Sequence, residues 1–189
     1  MLKKNQTTYQ EQNQEKVTEF LENISNLNKE KFVYIDETGI DRRTIQTQCW
    51  TKKGNVKVMP VQGKRTLRDN IIAASSKIDG IIAPFIFKGS CNSQIFIKYV
   101  EEILCPVLKE GQIVIMDNAS FHKSAKIKEL IEARKCQLIY LPPYSPEHNP
   151  IEHYWYILKK KVKKIRENFE DILDCISMSI YLTRNFNQS

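Results

Sequence analysis

Long apolar runs are lacking in this chain of 189 residues, which limits the classes of protein it can belong to. No segment approaches the roughly 18 consecutive apolar residues of a membrane-spanning helix. The first residues, MLKKNQTTYQEQNQEK, lack the apolar core of a secretory signal peptide. Hydrophobic residues make up 41% of the chain and charged residues 27%, as is usual for soluble globular proteins. We therefore expect a cytoplasmic protein of one domain, with no membrane partner.

Closely spaced cysteine pairs and internal repeats are lacking as well. The cysteines are odd in number, widely spaced and without a C-x-x-C motif; they are Cys49, Cys91, Cys105, Cys136 and Cys175. This pattern argues against a zinc site and against a disulfide framework. We expect buried, reduced thiols instead. The absence of a repeat or a low-complexity tract argues against solenoid folds.

Positive charge is what the chain has in excess. The net charge is +7 and the isoelectric point is about 9.1. The segment LKKKVKKIR (158–166) places six basic residues in nine positions. Such a run is usually the solvated face of a helix. The alternative is a ridge that contacts the phosphates of a nucleic acid.

The order of predicted elements indicates a mixed α/β fold. In the first half, a helix (17–27) precedes the strand KFVYID (31–36). Strand-like segments follow at 44–51, 55–61, 70–76 and 80–87. Asp79-Gly80, between the last two, is a hairpin signal. The second half predicts a helix (92–108), a strand (112–117), a helix (124–135), a strand (137–141), a helix from Pro150 and a last helix (169–181). Antiparallel strands joined by turns are therefore followed by βαβ units, which pair in parallel.

Three carboxylates fall where the predicted strands end. Asp36 and Asp117 each end a strand, and Glu152 opens the helix that follows the strand at 137–141. Ligand sites of open α/β sheets gather at the carboxyl ends of strands. Converging carboxylates repel one another and need a cation to stay ionised. Ligands that are all oxygens favour Mg²⁺ or Mn²⁺, and two such ions suit phosphodiester chemistry.

Each of these acids also has a purely structural explanation. An aspartate after a strand is often a turn former. Asn149 can be the N-cap of a helix whose first residue is Pro150, and Glu152 then completes a capping box. Glu37 is expected to point away from Asp36, because successive side chains of a strand face opposite ways.

Three segments resemble the catalytic motifs of a known family. YIDETG (34–39), MDNASFHKS (116–124) and LPPYSPEHNPIEHYW (141–155) are similar to those of DDE transposases of the mariner-like superfamily. The bacterial insertion-sequence branch is the most similar. The 34 residues between Asp117 and Glu152 match the interval that is typical of the superfamily.

The resemblance implies a ribonuclease H-like fold, with three antiparallel strands, then parallel strands, and flanking helices. Residues 29–166 would form the catalytic domain, 1–28 a linker with an amphipathic helix, and 167–189 a helix that packs on the domain or on a partner. Asp36, Asp117 and Glu152 would bind two Mg²⁺ or Mn²⁺ ions. The implied reaction is metal-dependent cleavage at the ends of a transposon, followed by attack of the freed 3′-hydroxyl on target DNA.

The implied partner is double-stranded DNA, bound by a homodimer, and a second implied partner is a separately encoded helix-turn-helix half. On the helix from Pro150, Tyr156, Lys159 and Lys163 share a stripe with Glu152 and are candidate DNA contacts, while Trp155 belongs to the apolar stripe. His122 matches a family position and would contact DNA or only bond within its loop. Asn149 matches the third motif and would support the glutamate. Two alternatives stay open: a nuclease that only hydrolyses, and a silent DNA-binding or dimerisation module.

Overall fold

The computed structural model describes residues 12–42 and 68–184, which include a five-stranded mixed sheet. The strands are β1 (Phe32–Asp41), β2 (Arg68–Ser76), β3 (Gly80–Lys88), β4 (Ile113–Met116) and β5 (Gln137–Tyr140). Their order across the sheet is β3-β2-β1-β4-β5. The first three pair antiparallel, and β4 and β5 continue the sheet in parallel. The predicted mixed sheet is confirmed.

Helices cover both faces of the sheet. They are α1 (Gln14–Ser25), α2 (Ser93–Lys98, continued by a π-helical segment Tyr99–Leu104), α3 (Ala125–Ala133), α4 (Ile151–Ile165) and α5 (Ile172–Arg184). Short 3₁₀ turns follow β4 at Ser120–His122 and precede α4 at Pro146–His148. Within the two described ranges, no helix is long and apolar enough to cross a membrane.

Side-chain alternation along β1 separates the two main cores. Val33 and Ile35 pack with residues of α2, the π-helical segment and α3, whereas Ile40 packs with residues of α4 and α5. A smaller cluster holds α1 against β1 and β4, with Phe20 packed among Phe32 and Ile113. Burying an aliphatic or aromatic side chain of this size contributes roughly 1.5–3 kcal/mol. The opposite faces of β1 therefore belong to different layers, which decides where its acidic side chains can reach.

Three predicted boundaries were wrong. The first strand does not end at Asp36 but continues to Asp41, because its antiparallel pairing with β2 extends to the Asp41–Arg68 pair. The helix predicted over 92–108 is α-helical only to Lys98 and then π-helical to Leu104. The last helix begins at Ile172 rather than at residue 169.

Some of the other predictions for the first half of the chain can be compared with the structure, and others fall on residues that it does not describe. The hairpin signal at Asp79-Gly80 is confirmed, since a turn there joins β2 to β3 and Gly80 has φ +67°. The strand-like segments at 44–51 and 55–61 lie outside the described residues. Cys105, Cys136 and Cys175 are buried free thiols and Cys91 is a half-buried one, while Cys49 lies outside the described residues.

Candidate active site

Asp36 and Asp117 stand at the same level of the sheet. In the parallel pair of β1 and β4, Tyr34 lies opposite Ile115. Asp36 and Asp117 each lie two positions further on, and both line the same cavity. Asp117 directly follows the last residue of β4, as predicted. Asp36 instead lies in the middle of β1, at the point where β4 ends. Asp36 was predicted to lie near Asp117 because both would end a strand. The two are close instead because β1 and β4 pair in parallel.

The Asp36 carboxylate accepts a hydrogen bond from a side chain of the core. The Trp155 indole N–H donates a hydrogen bond to Asp36 Oδ2 (2.9 Å). Burial, followed by the negative charges of Glu152 and Glu37, raises the pKa of Asp36 to about 7, although the bonds from Trp155 and from the Glu37 backbone lower it. Without a cation this carboxyl is therefore partly protonated at neutral pH, and a cation beside it would restore the charge.

Asp117 has one oxygen engaged inside the protein. Its Oδ1 accepts hydrogen bonds from the Ala119 N–H (3.1 Å) and from Nδ1 of His122. Burial alone would raise the pKa of Asp117, but the bond and charge of His122 and the bond from Ala119 outweigh it and lower the pKa below the usual value. Asp117 therefore loses its proton at a lower pH than Asp36 does.

Glu152 is the second residue of α4, and its side chain is exposed. The predicted capping box was wrong, because α4 begins after Pro150 without a side-chain cap. The Asn149 side-chain amide instead donates to the Ile35 carbonyl (3.4 Å), since this buried residue packs against β1. Asn149 thus ties the start of α4 to the strand that carries Asp36.

The three predicted acids line one cavity of about 460 Å³. Its other walls are Asn118, Ala119, Asn149 and the loop at 141–146. Among residues 12–42 and 68–184, no three Asp, Glu, His or Cys side chains lie close enough together to hold one ion. The structure therefore brings the acids to one cavity but not into a closed coordination shell.

His122 lies behind Asp117 and is almost fully buried, with 1% of its side chain exposed. Its Nε2 bonds to Glu37 Oε1 (2.9 Å) and its Nδ1 to Asp117 Oδ1. Burial alone would lower the pKa of His122, but these two hydrogen bonds and the charges of both carboxylates raise it to about 9. A ring that faces carboxylates on both nitrogens is a double donor, so His122 is an imidazolium at neutral pH. Of the two roles considered for it, bonding within the protein fits this burial, and DNA contact does not.

Glu37 contacts the site although the sequence predicted no role for it there. It does lie on the face of β1 opposite to Asp36, as predicted from strand alternation, and there it meets His122. Cys91 lies 3.7 Å from the same Glu37 oxygen, and burial and that carboxylate raise the pKa of this thiol to about 12. The alternation indicated the face of Glu37, but no local pattern indicated the partner across 85 positions of sequence.

The exposed side of α4 carries the candidate DNA contacts. Tyr156, Lys159 and Lys163 are exposed, and the Lys160 ammonium lies over the Tyr156 ring, 4.9 Å from its centroid. The opposite stripe packs into the core through Ile151, Trp155, Leu158 and Val162, as predicted. The helix therefore presents Glu152 and a basic ridge to the solvent together.

Comparisons with known proteins place the chain in a family. Residues 31–175 match the family model described as DDE superfamily endonuclease. Over 72 residues the chain is 33% identical to the Transposable element Tcb2 transposase of Caenorhabditis briggsae, which covers 34% of this chain and 26% of that protein. Over 97 residues it is 27% identical to the Uncharacterized protein y4pE/y4sA of Sinorhizobium fredii, which covers 50% of this chain and 66% of that protein.

Solved structures with this fold include complexes of the Mos1 transposase. The Mos1 strand transfer complex aligns over 100% of this chain and 64% of its own, with a TM-score of 0.64 and 14% identity. The Mos1 mariner paired end complex with Mn aligns over 100% and 65%, with a TM-score of 0.61 and 14% identity. These neighbours confirm the predicted ribonuclease H-like fold.

The chain spans 26% of the length of the Tcb2 transposase and about two thirds of the Mos1 chains. The bacterial insertion-sequence branch stays a prediction. Because the family model covers most of the chain, the protein belongs to the DDE superfamily endonucleases, and the resemblance to mariner-like DDE transposases is confirmed.

Proposed function

We propose that this chain is the catalytic domain of a DNA transposase, which cleaves phosphodiesters at transposon ends and joins the freed 3′-hydroxyl to target DNA. One observation carries the proposal: Asp36, Asp117 and Glu152, one from each family motif, line a single cavity. We propose residues 29–166 as the catalytic domain, residues 1–28 as a linker with an amphipathic helix, and residues 167–189 as a helix that packs on the domain or on a partner. The site of action would be the bacterial cytoplasm, at the nucleoid.

The side chains of the cavity suit Mg²⁺ or Mn²⁺. All three acidic side chains are oxygen donors, and burial, followed by the negative charges of Glu152 and Glu37, raises the pKa of Asp36 to about 7, which a bound cation would offset. When bound, two such ions would activate the attacking hydroxyl and stabilise the leaving oxygen. Mos1 complexes with Mn and with Mg have been crystallised. Glu152 is exposed at the start of its helix and lines the same cavity, so its carboxylate would be available to such an ion.

The residues around the acids would orient them and hold DNA. Trp155 fixes one oxygen of Asp36, and Asn149 holds α4 against β1. Lys159, Lys163 and Tyr156 would contact phosphates next to the site, because they share the solvent side of α4 with Glu152. A homodimer on paired DNA ends, with a helix-turn-helix half for end recognition, would complete the assembly.

The test is strand transfer into supercoiled plasmid from a duplex with a pre-cut 3′ end, with Mn²⁺ or Mg²⁺. We expect joined products from the wild-type chain and none from Asp36→Asn, Asp117→Asn or Glu152→Gln. Joining that persists in any of these variants would remove that residue from the proposed role. Plasmid nicking without joining would instead support the nuclease alternative, and DNA binding without any cleavage would support the silent module.

A further inference from the structure

Glu37 reaches the active site from the far side of the sheet. It lines a separate cavity of about 490 Å³ with Arg68 and Cys91, while Asp36 faces the catalytic one. We propose that Glu37 is a positioning residue, which holds the His122 ring and through it fixes the Asp117 carboxylate for metal binding. This inference rests on the proposed function, because it assumes that Asp117 is a metal ligand.

The His122 ring is confined by its surroundings. Its centroid lies 4.0 Å from that of Phe96 and 4.3 Å from that of Phe121. Its backbone carbonyl accepts a hydrogen bond from the Tyr140 hydroxyl (3.0 Å). With 1% of the side chain exposed, the ring nitrogens are shielded from solvent while Glu37 and Asp117 are in place. The ring therefore depends on its two carboxylate acceptors for its orientation.

The two acceptors stand at opposite ends of the ring. Glu37 accepts from Nε2 at 2.9 Å and Asp117 accepts from Nδ1. If Glu37 is removed, a buried N–H loses its acceptor, and the ring is driven to another tautomer or orientation. Either change weakens the donor that faces Asp117. The position of Asp117 thus depends on a carboxylate that it does not touch.

The bonds to Asp117 also decide which of its oxygens is available. Oδ1 accepts both from His122 and from the Ala119 N–H, at 3.1 Å in the latter case. In the described part of the chain no hydrogen bond reaches Oδ2, and the carboxyl lines the catalytic cavity. The donors therefore hold Oδ1 inward and leave Oδ2 for an ion. Partners of metal ligands that act in this way commonly change metal affinity by about 10–100-fold when they are removed.

The experiment measures Mn²⁺ affinity of the full chain without DNA, from the electron paramagnetic resonance signal of free Mn²⁺. Glu37→Ala removes the acceptor, and Glu37→Leu does so with less loss of volume if the alanine variant folds poorly. Glu37→Gln keeps an acceptor for His122. Glu129→Ala changes an exposed glutamate of α3 and is the matched control. Thermal unfolding without metal confirms that each variant is folded.

We expect Glu37→Ala to weaken Mn²⁺ binding by about 10–100-fold, and both Glu37→Gln and Glu129→Ala to stay within the same order of magnitude as wild type. In a His122→Asn background, which keeps a donor near Asp117 but cannot span to Glu37, Glu37→Ala should have no further effect. Wild-type affinity in folded Glu37→Ala, a loss in Glu37→Gln equal to that in Glu37→Ala, or an equal loss from Glu37→Ala in both backgrounds would overturn the inference.

A failure of the proposed function gives a different result. If wild type and Asp117→Asn bind Mn²⁺ equally well, or neither binds it, Asp117 is not a metal ligand and both proposals fall. If Asp117→Asn loses binding and Glu37→Ala does not, only the positioning role of Glu37 is wrong.

Discussion

Asp36 is placed between neighbours with opposite effects on its charge. Burial and the Glu152 carboxylate raise its pKa, while the Trp155 indole N–H lowers it by bonding to Oδ2. Trp155→Phe keeps an aromatic ring in the core and removes only this donor. A hydrogen bond to a charged group contributes about 1.5–3 kcal/mol, so the Mn²⁺ concentration for half-maximal strand transfer should rise roughly 10- to 100-fold. Tyr181→Phe, on the exposed side of α5, is the control; an unchanged Mn²⁺ requirement in Trp155→Phe would contradict the assigned role.

The raised pKa of Asp36 also predicts a pH dependence of stability. Its value of about 7 in the folded, metal-free protein lies above the ordinary 3.8, so the folded state binds the extra proton between these values. The contribution of Asp36 to stability is therefore present below about pH 4 and is lost as the pH rises toward 7. Asp36→Asn does not titrate, so its Tm relative to wild type in EDTA should increase from about pH 5 to about pH 8.

Saturating Mn²⁺ provides the internal control for this measurement. A metal ion that binds the folded state stabilises the wild-type chain and should reverse the order of the two Tm values at the higher pH. A Tm difference between Asp36→Asn and wild type that does not change with pH in EDTA would show that Asp36 is ionised without a cation.

The three candidate acids could be identified from the sequence, whereas the side chains that contact them could not. Each acid lies in a motif of adjacent residues that is visible in the chain. The contacts of Trp155 with Asp36 and of Glu37 with His122 join residues 119 and 85 positions apart. Helical spacing assigned Trp155 to the core, correctly, but the direction of its N–H depends on the packing of α4 against β1. Long-range side-chain pairing of this kind leaves no periodic signal.

At the scale of elements, hydrophobic periodicity predicted type and order better than ends. The buried stripe of α4 follows from three-four spacing alone. The end of β1 could not be predicted in this way. The polar residues after Asp36 are typical of a turn, but they stay paired with β2 up to Asp41. The prediction that Asn149 caps α4 was wrong because of tertiary packing as well. Packing places the Ile35 carbonyl within reach of the Asn149 amide, which donates to it.

The exposed ridge of α4 makes a prediction for DNA binding. Lys159→Ala with Lys163→Ala should weaken binding of duplex DNA irrespective of its sequence, because ammonium groups that contact phosphates release counterions. The slope of log affinity against log salt should fall by about 2, one for each lysine, in a fluorescence anisotropy titration. Lys126→Ala changes an exposed lysine of α3 on the other face of the sheet and should leave the slope unchanged. Equal slopes for the double variant and wild type would show that these two lysines do not contact phosphates.

On the scale of the whole molecule, the fold explains how three distant motifs reach one cavity. The first motif lies on a central strand, the second follows its parallel neighbour, and the third begins the helix that packs on the central strand. The alternation of elements was enough to predict this mixed sheet. It was not enough to predict how far the acids stand from one another, because that distance depends on side-chain rotamers and on the ion itself.

The claim that these acids jointly bind divalent cations is tested most directly by crystals of the full chain soaked in Mn²⁺. Anomalous difference density locates the ions without reference to activity. We predict peaks inside the cavity, roughly 2.0–2.6 Å from oxygens of Asp36, Asp117 and Glu152. A saturating soak that shows no peak there, or a peak bound by other residues only, would contradict the account.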